Sequence, residues 1–355
     1  METRIMRVDP LRIDDNVIGE AARLIGAGEL VAFPTETVYG LGADALRAEA
    51  AAKIYAAKGR PSDNPLIVHI AEFDDLARVA NDVPPQAKIL ADAFWPGPLT
   101  MILNKKREVP DATTGGLDTV AVRMPNHPVA LELIRKSGCL IAAPSANASG
   151  RPSPTEAAHV RQDLYGRIAM ILDGGAVGIG IESTIVDLTE EVPMILRPGY
   201  ITRELLADAL GREVVTDPGI LADDDAKRPK APGMKYRHYA PKARLSIVEG
   251  PEGAVIAKIN GLAENARREG KKAAVIATDE TADAYEADAV LSIGSRLDDA
   301  TIARRLYRIL RECDELQVSE IYSESFQTPN LGTAIMNRLL KAAGHTVIRV
   351  CEAEE

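Results

Sequence analysis

KGRPSDNPLIVHI, residues 58–70, decides the fold class. It opens at the end of a run with helical composition, RAEAAAKIYAA (47–57). It turns at Gly59 and Pro61, then enters LIVHI (66–70), a short continuous apolar run of the kind that fills a buried strand. Helix, tight loop and buried strand form the repeating unit of a mixed α/β layer. The loop carries Lys58 and Arg60 on either side of a glycine, with Asn64 just before the strand. Two cations on a Pro-limited loop suit a triphosphate, and Asn64 suits a phosphate oxygen or an adenine edge. The same two cations also fit a helix C-terminus whose negative dipole end they neutralise.

The α/β reading extends in both directions. Residues 14–28 form an amphipathic helical pattern closed by Gly28, and LVAFPTETV follows as a β-rich run. Helices are expected near 73–80 and 85–94, and over PVALELIRKSG (128–138), where Gly138 ends the helix. Strands are expected at TMILN, TVAVRM, CLIAAP, IAMILD, STIVDL and MILRP. Ser153-Pro154-Thr155-Glu156 has the form of a capping box with proline at the first helical position, so a helix is expected from there to about Leu164. This region, residues 1–212, reads as one domain. From Arg244 the pattern becomes a regular alternation: RLSIVE, helix 254–269, AAVIAT, AVLSIG, helix 300–312, EIYSES, helix 333–343, TVIRV. Such alternation implies a smaller, mostly parallel, Rossmann-like sheet over 245–355. Its first strand is not followed by GxGxxG, so dinucleotide binding is not indicated. Residues 213–244 are the linker. Its part KRPKAPGMKYRHYAPKAR (227–244) holds seven Lys or Arg, no Asp or Glu, three prolines and two tyrosines. It is either a solvated basic linker or a strap over a polyanionic site.

The rest of the composition narrows the function. The chain has 355 residues, 46% of them hydrophobic and 26% charged, which suits a globular protein of more than one core. A net charge of -10 argues against coating nucleic acid by bulk electrostatics. Cys139, Cys313 and Cys351 are far apart, so no disulfide framework or zinc site is expected, and reduced thiols suit a cytoplasmic protein. The charged N-terminus, METRIMRVDPLRIDD, is unlike a secretory signal, and no apolar stretch is long enough to span a bilayer. There is no GxxxxGKS/T loop, HExxH, GxSxG elbow or EF-hand, and no metal-ligand cluster.

Other loops at strand ends add small polar groups, where α/β proteins place ligands. FPTETVYGLGADA (33–45) supplies Thr35, Thr37 and Tyr39. APSANASGRPSPT (143–155) supplies Ser145, Asn147 and Ser149. GIESTIVDL (180–188) supplies Ser183 and Thr184. Arg123 and Arg197 interrupt apolar strands and each needs an anionic partner, either a structural carboxylate or a ligand. His69 ends a buried strand, where a histidine is more often part of the core than a catalyst.

Together, PTETVYGLGADA, KGRPSDNPL, WPGPLT, VAVRMP, APSANASGRPSPT, GIESTIVDL, ILRPG and PGMKYRHYAPKA resemble the threonylcarbamoyl-AMP synthase family in its long two-domain form. The strings occur in the family's order over roughly residues 30–242; the C-terminal part matches more loosely. The resemblance implies a YrdC-like twisted mixed sheet around a basic cavity. It implies the reaction of L-threonine, bicarbonate and ATP to L-threonylcarbamoyl-AMP and pyrophosphate. A downstream transferase complex would then modify tRNA, so that tRNA is only an indirect partner. Carried onto this chain, Lys58 and Arg60 become the catalytic cations. The ATP contacts become Lys58, Arg60, Asn64, Thr119, Ser145, Ser153, Arg197, Tyr236 and His238, with Tyr239 beside them. The threonine pocket becomes Thr35, Thr37, His69, Arg123, Ala143 and Ser183. Mg2+ is expected on the phosphates, without a dedicated protein cage. Two other readings are an RNA-binding module and a carbamoyl-phosphate-using carbamoyltransferase. The acidic charge opposes the first, and the missing zinc-finger cysteine pattern opposes the second.

Overall fold

The computed structural model describes residues 2–220, 231 and 238–351. The chain divides into two compact units, Met1–Ser149 with Ser153–Tyr236, and Gly150–Pro152 with Arg237–Glu355. In the first unit the strands are β1 (Arg4–Arg7), β2 (Val31–Phe33), β3 (Gly40–Asp44), β4 (Ile67–His69), β5 (Leu99–Asn104), β6 (Thr119–Arg123), β7 (Ile141–Ala142), β8 (Met170–Asp173), β9 (Thr184–Asp187), β10 (Met194–Arg197) and β11 (Val215–Thr216). They form one mixed sheet in the order β1-β8-β2-β3-β7-β4-β6-β5-β9-β10-β11. The helices are α1 (Asp15–Gly26), α2 (Ala48–Lys58), α3 (Pro85–Phe94), α4 (Asp111–Thr114), α5 (Pro128–Ser137), α6 (Ala157–Leu164) and α7 (Arg203–Leu210).

Local sequence explains most of these elements. Asp14 caps α1 by accepting from the Asn16 N–H, and Ile18, Ala21, Ala22 and Ile25 form its buried stripe. That stripe packs with α5 residues Val129, Ala130 and Leu133 on one sheet face. The other face carries the larger core, including Tyr39, Leu41, Ile54, Val68, Leu99 and Val122. α2 ends where Gly59 takes up a left-handed conformation (φ 61°), which turns the chain between Lys58 and Arg60.

Three local readings are corrected. The β-rich run after Leu30 is a strand only over Val31–Phe33, because Pro34 cannot donate to a sheet ladder and the chain turns. The helix expected from Ser153 begins at Ala157 behind Glu156, with no side-chain cap; the Ser153 hydroxyl instead donates to Glu182 Oε1 at 2.6 Å. The sheet also continues past residue 212, where β11 pairs in parallel with β10.

The second unit is a five-stranded sheet of β12 (Arg244–Glu249), β13 (Ala273–Ala277), β14 (Ala289–Ser292), β15 (Glu320–Glu324) and β16 (Val347–Arg349). Every pairing in it is parallel, and the order is β14-β13-β15-β12-β16. Helices α8 (Glu252–Arg268), α9 (Asp299–Glu315) and α10 (Gly332–Ala342) make three of the four crossovers, and a single short turn of helix at Ala282–Ala284 lies in the β13–β14 connection. The short segment Gly150–Pro152 belongs to this unit: buried Arg311 donates to the Pro152 carbonyl at 2.5 Å, and Arg151 pairs with Asp314 at 3.4 Å. No helix among the described residues is long and apolar enough to cross a membrane.

Candidate active site

Lys58, the last residue of α2, is 3% exposed. Its ammonium donates to the carbonyl oxygens of Ser145 and Asn147, each at 2.5 Å. The Ser145 hydroxyl donates to Asn147 Oδ1 at 2.6 Å, and the Ser149 N–H donates back to the Lys58 carbonyl at 2.8 Å. One lysine therefore ties the 58–66 loop to the 143–155 loop. Arg60 is held within its own loop, where Nη2 donates to Asn64 Oδ1 at 2.6 Å and to the Pro65 carbonyl at 3.0 Å. These bonds fix the guanidinium plane before any ligand arrives.

A second group lies where β4 and β6 end. His69 of β4 and Thr100 of β5 are the cross-strand partners of Arg123 on β6, so the three share one row of the sheet. Arg123 is 3% exposed; Nη1 donates to Thr37 Oγ1 at 2.9 Å and Nε to the Gly97 carbonyl at 3.2 Å. The Thr37 and Thr35 hydroxyls are 2.9 Å apart, and Thr35 donates to the Val38 carbonyl at 2.7 Å. Ser183 Oγ lies 2.8 Å from Thr100 Oγ1. Arg197 bonds both the Ser183 carbonyl (3.0 Å) and its hydroxyl (3.1 Å). His69 is buried beside Arg123, and desolvation with that positive charge pushes its pKa down to about 3, so the imidazole stays neutral.

The backbones of Asn64 and Arg123 stand at opposite ends of the β4–β6 pair, but the Thr35–Thr37 loop that Arg123 reaches runs into Gly40, which bridges to Ser145 of the first group. Asn64 precedes β4 and Thr119 opens β6, whereas His69 and Arg123 close them. By strand rise, Thr119 and Arg123 are roughly 13 Å apart. Between these ends Ile67, Ile102, Ala121, Ile185 and Leu196 form an apolar floor, and Ala231 is fully buried against it. Ala143 joins the same sheet, its N–H donating to the Ile67 carbonyl at 2.8 Å. Ser153 is turned to Glu182. Tyr236 lies outside the described residues, as does the rest of the 227–244 strap up to Arg237 apart from Ala231. His238 and Tyr239 belong to the second unit, where Tyr239 stacks on Tyr307 of α9 with centroids 5.0 Å apart. Among the described residues no three His, Cys, Asp or Glu form a group that could hold a metal ion.

Sequence reasoning missed Glu36, Thr100 and Glu182. Glu36 was visible as the one acid within PTETVYG, between two hydroxyl residues, but nothing local pairs it with Arg123. Thr100 became a neighbour of Ser183 only through strand pairing.

Two family models match the chain. One, described as telomere recombination and covering the Sua5–YciO–YrdC domain, spans residues 23–199. The other, the threonylcarbamoyl-AMP synthase C-terminal domain, spans 201–344. The threonylcarbamoyl-AMP synthase of Bacillus subtilis is 51% identical over 96% of this chain and 97% of its own length. The chain belongs to the threonylcarbamoyl-AMP synthase family. The Pyrococcus abyssi member is 50% identical over 96% of this chain and 97% of its own. The crystal structure of P. abyssi Sua5 complexed with L-threonine has a TM-score of 0.92 at 49% identity, covering 98% of this chain and 100% of that one. The fold is therefore the YrdC-like α/β sheet with a smaller C-terminal domain, and the family's activity is nucleotidyl transfer yielding threonylcarbamoyl-AMP.

Proposed function

We propose that this chain joins L-threonine, bicarbonate and ATP into L-threonylcarbamoyl-AMP, releasing pyrophosphate. The observation that carries the reading is one sheet bearing two polar groups: a preformed cation loop, Lys58 to Asn64, and an arginine–hydroxyl pocket around Arg123. Nearly full-length relatives of half identity bear the synthase name.

In this reading Lys58, Arg60, Asn64, Thr119, Ser145 and Ser153 serve the nucleotide, with Tyr236 and His238 as strap contacts, and Arg197 serves it from the Arg123 end, where it bonds Ser183. Arg123 takes the threonine carboxylate, Thr35, Thr37 and Ser183 offer hydroxyls to the substrate, and Ala143 and neutral His69 wall the pocket. The carbamate oxygen attacks the α-phosphate and pyrophosphate leaves. No protein atom becomes covalently attached. The rate gain comes from holding the two reactants in line and from cations facing the growing phosphate charge. Mg2+, if bound with ATP, would sit mainly on the triphosphate oxygens and would neutralise part of their charge. The product serves a downstream threonylcarbamoyl transferase complex acting on tRNA, so the chain meets tRNA only indirectly, in the cytoplasm. Pyrophosphate release should require threonine and bicarbonate together, with the adenylate found by mass. Equal turnover with valine would contradict this, because a pocket that pairs a substrate hydroxyl rejects the analogue lacking it.

A further inference from the structure

Glu36 occupies the loop between β2 and β3, flanked by Thr35 and Thr37. Its side chain is 12% exposed, and both carboxylate oxygens are buried. Oε1 stands 2.6 Å from Arg123 Nη2, yet neither glutamate oxygen nor that nitrogen makes a hydrogen bond. The charges are close but misaligned. Arg123 spends Nη1 on Thr37 and Nε on Gly97. A buried ion pair kept only for stability gains most when its hydrogen bonds are completed, and this one is incomplete on both sides.

The surroundings say what would complete it. Facing Glu36 are Arg123 from β6 and His127 at the start of α5; His69 from β4 stands behind Arg123. Burial holds both imidazoles below their ordinary pKa, so near neutrality each is neutral and carries a single N–H rather than a charge; His127 Nδ1 is itself buried without a hydrogen-bond partner, and neither ring balances the Glu36 charge. The Thr35 and Thr37 hydroxyls are engaged with each other, with Val38 and with Arg123. What remains is one guanidinium nitrogen short of an acceptor, next to one carboxylate short of donors. An α-amino acid zwitterion carries the matching pair, a carboxylate and an ammonium on adjacent atoms.

We propose that Glu36 binds the α-ammonium of the amino-acid substrate and takes one proton from it. This rests on the synthase reading above. The ammonium gives a proton to the Glu36 carboxylate, leaving a neutral amine. The amine nitrogen forms a bond to the bicarbonate carbon. One carbon–oxygen bond of bicarbonate breaks, and its hydroxyl leaves as water with a second amine proton. The carbamate keeps one N–H and one negative charge, and Glu36 returns its proton to solvent after turnover.

The test compares L-threonine with 2,3-dihydroxybutanoate of the same configuration, in which a hydroxyl replaces the amine. Calorimetry on the wild type should favour threonine by about tenfold or more, the worth of a charged hydrogen bond. E36Q, checked for folding by thermal melting, should bind both ligands equally well, while E36D should still prefer threonine. Turnover of E36Q should also rise more steeply with pH than that of the wild type, because free threonine then sheds its own proton. An undiminished threonine preference in E36Q, or the same pH profile as the wild type, overturns the proposal. If E36Q does not fold, loss of the preference in folded E36D overturns it. Failure of the wild type to bind threonine at all would instead overturn the synthase reading.

Discussion

Lys58 is a structural tie, and under the proposed function it is also a cation for ATP. Its ammonium is the tie between two loops, through the carbonyls of Ser145 and Asn147. Removing it leaves buried carbonyl oxygens without their cation, a loss of about 1.5–3 kcal/mol for a charged hydrogen bond. Lys58→Ala should therefore lower both the thermal midpoint and ATP affinity. A variant with normal stability and weak ATP binding would mean that the tie is not structural. His69 makes a separate prediction about pH. Its folded-state pKa of about 3 lies below the ordinary 6.5, so below pH 6.5 the unfolded chain binds a proton that the native state refuses. The stabilising contribution is complete above pH 6.5 and is lost as pH falls towards 3, at up to about 1.4 kcal/mol per pH unit. His69→Asn should flatten the slope of unfolding free energy over that window. An unchanged slope would show that His69 titrates normally.

At the scale of elements, periodicity and turn chemistry were legible because both are local. The buried stripe of α1, the strand at Ile67–His69 and the glycine after α5 all follow from side chains a few positions apart. The Ser153 capping box misled for the same reason, because Ser153 has a better partner, Glu182, 29 positions away. Nor does local pattern reveal which strands become neighbours, and the row His69–Arg123–Thr100 depends on that. Gly199, after β10, is another non-local constraint. A Cβ there would stand 2.4 Å from the Thr184 nitrogen and 2.8 Å from the Glu182 carbonyl oxygen. Those are backbone atoms, so the segment holding Ser183 would have to shift and would misplace the partner of Arg197. Gly199→Ala should cost about 1–3 kcal/mol in urea unfolding, the usual range for overpacking, and should weaken substrate binding. Wild-type stability would mean that the close approach is not rigid.

Over the whole molecule, the division into two α/β units followed from the change of pattern near Arg244, but the reach of the first unit did not. Composition marks residues beyond 212 as linker, yet β11 pairs with β10 and Ala231 is buried on the apolar floor. A two-residue strand and a lone alanine leave no periodic signal. A chain cut after Gly211 should thus have a lower urea midpoint than one cut after Tyr236, since the shorter form bares the edge of β10 and part of the floor. Equal midpoints would return residues 213–236 to the role of a plain linker. Under the proposed function one sheet carries two half-sites, an amino-acid end at Arg123 and a triphosphate end at Lys58 and Arg60. The most direct test is to measure threonine and ATP affinities separately by calorimetry in full-length Arg123→Lys and Arg60→Ala. Arg123→Lys should lose threonine affinity by about tenfold or more and keep ATP affinity, whereas Arg60→Ala should do the reverse. If both variants lost both ligands equally, or neither lost either, the assignment of the two ends would be contradicted.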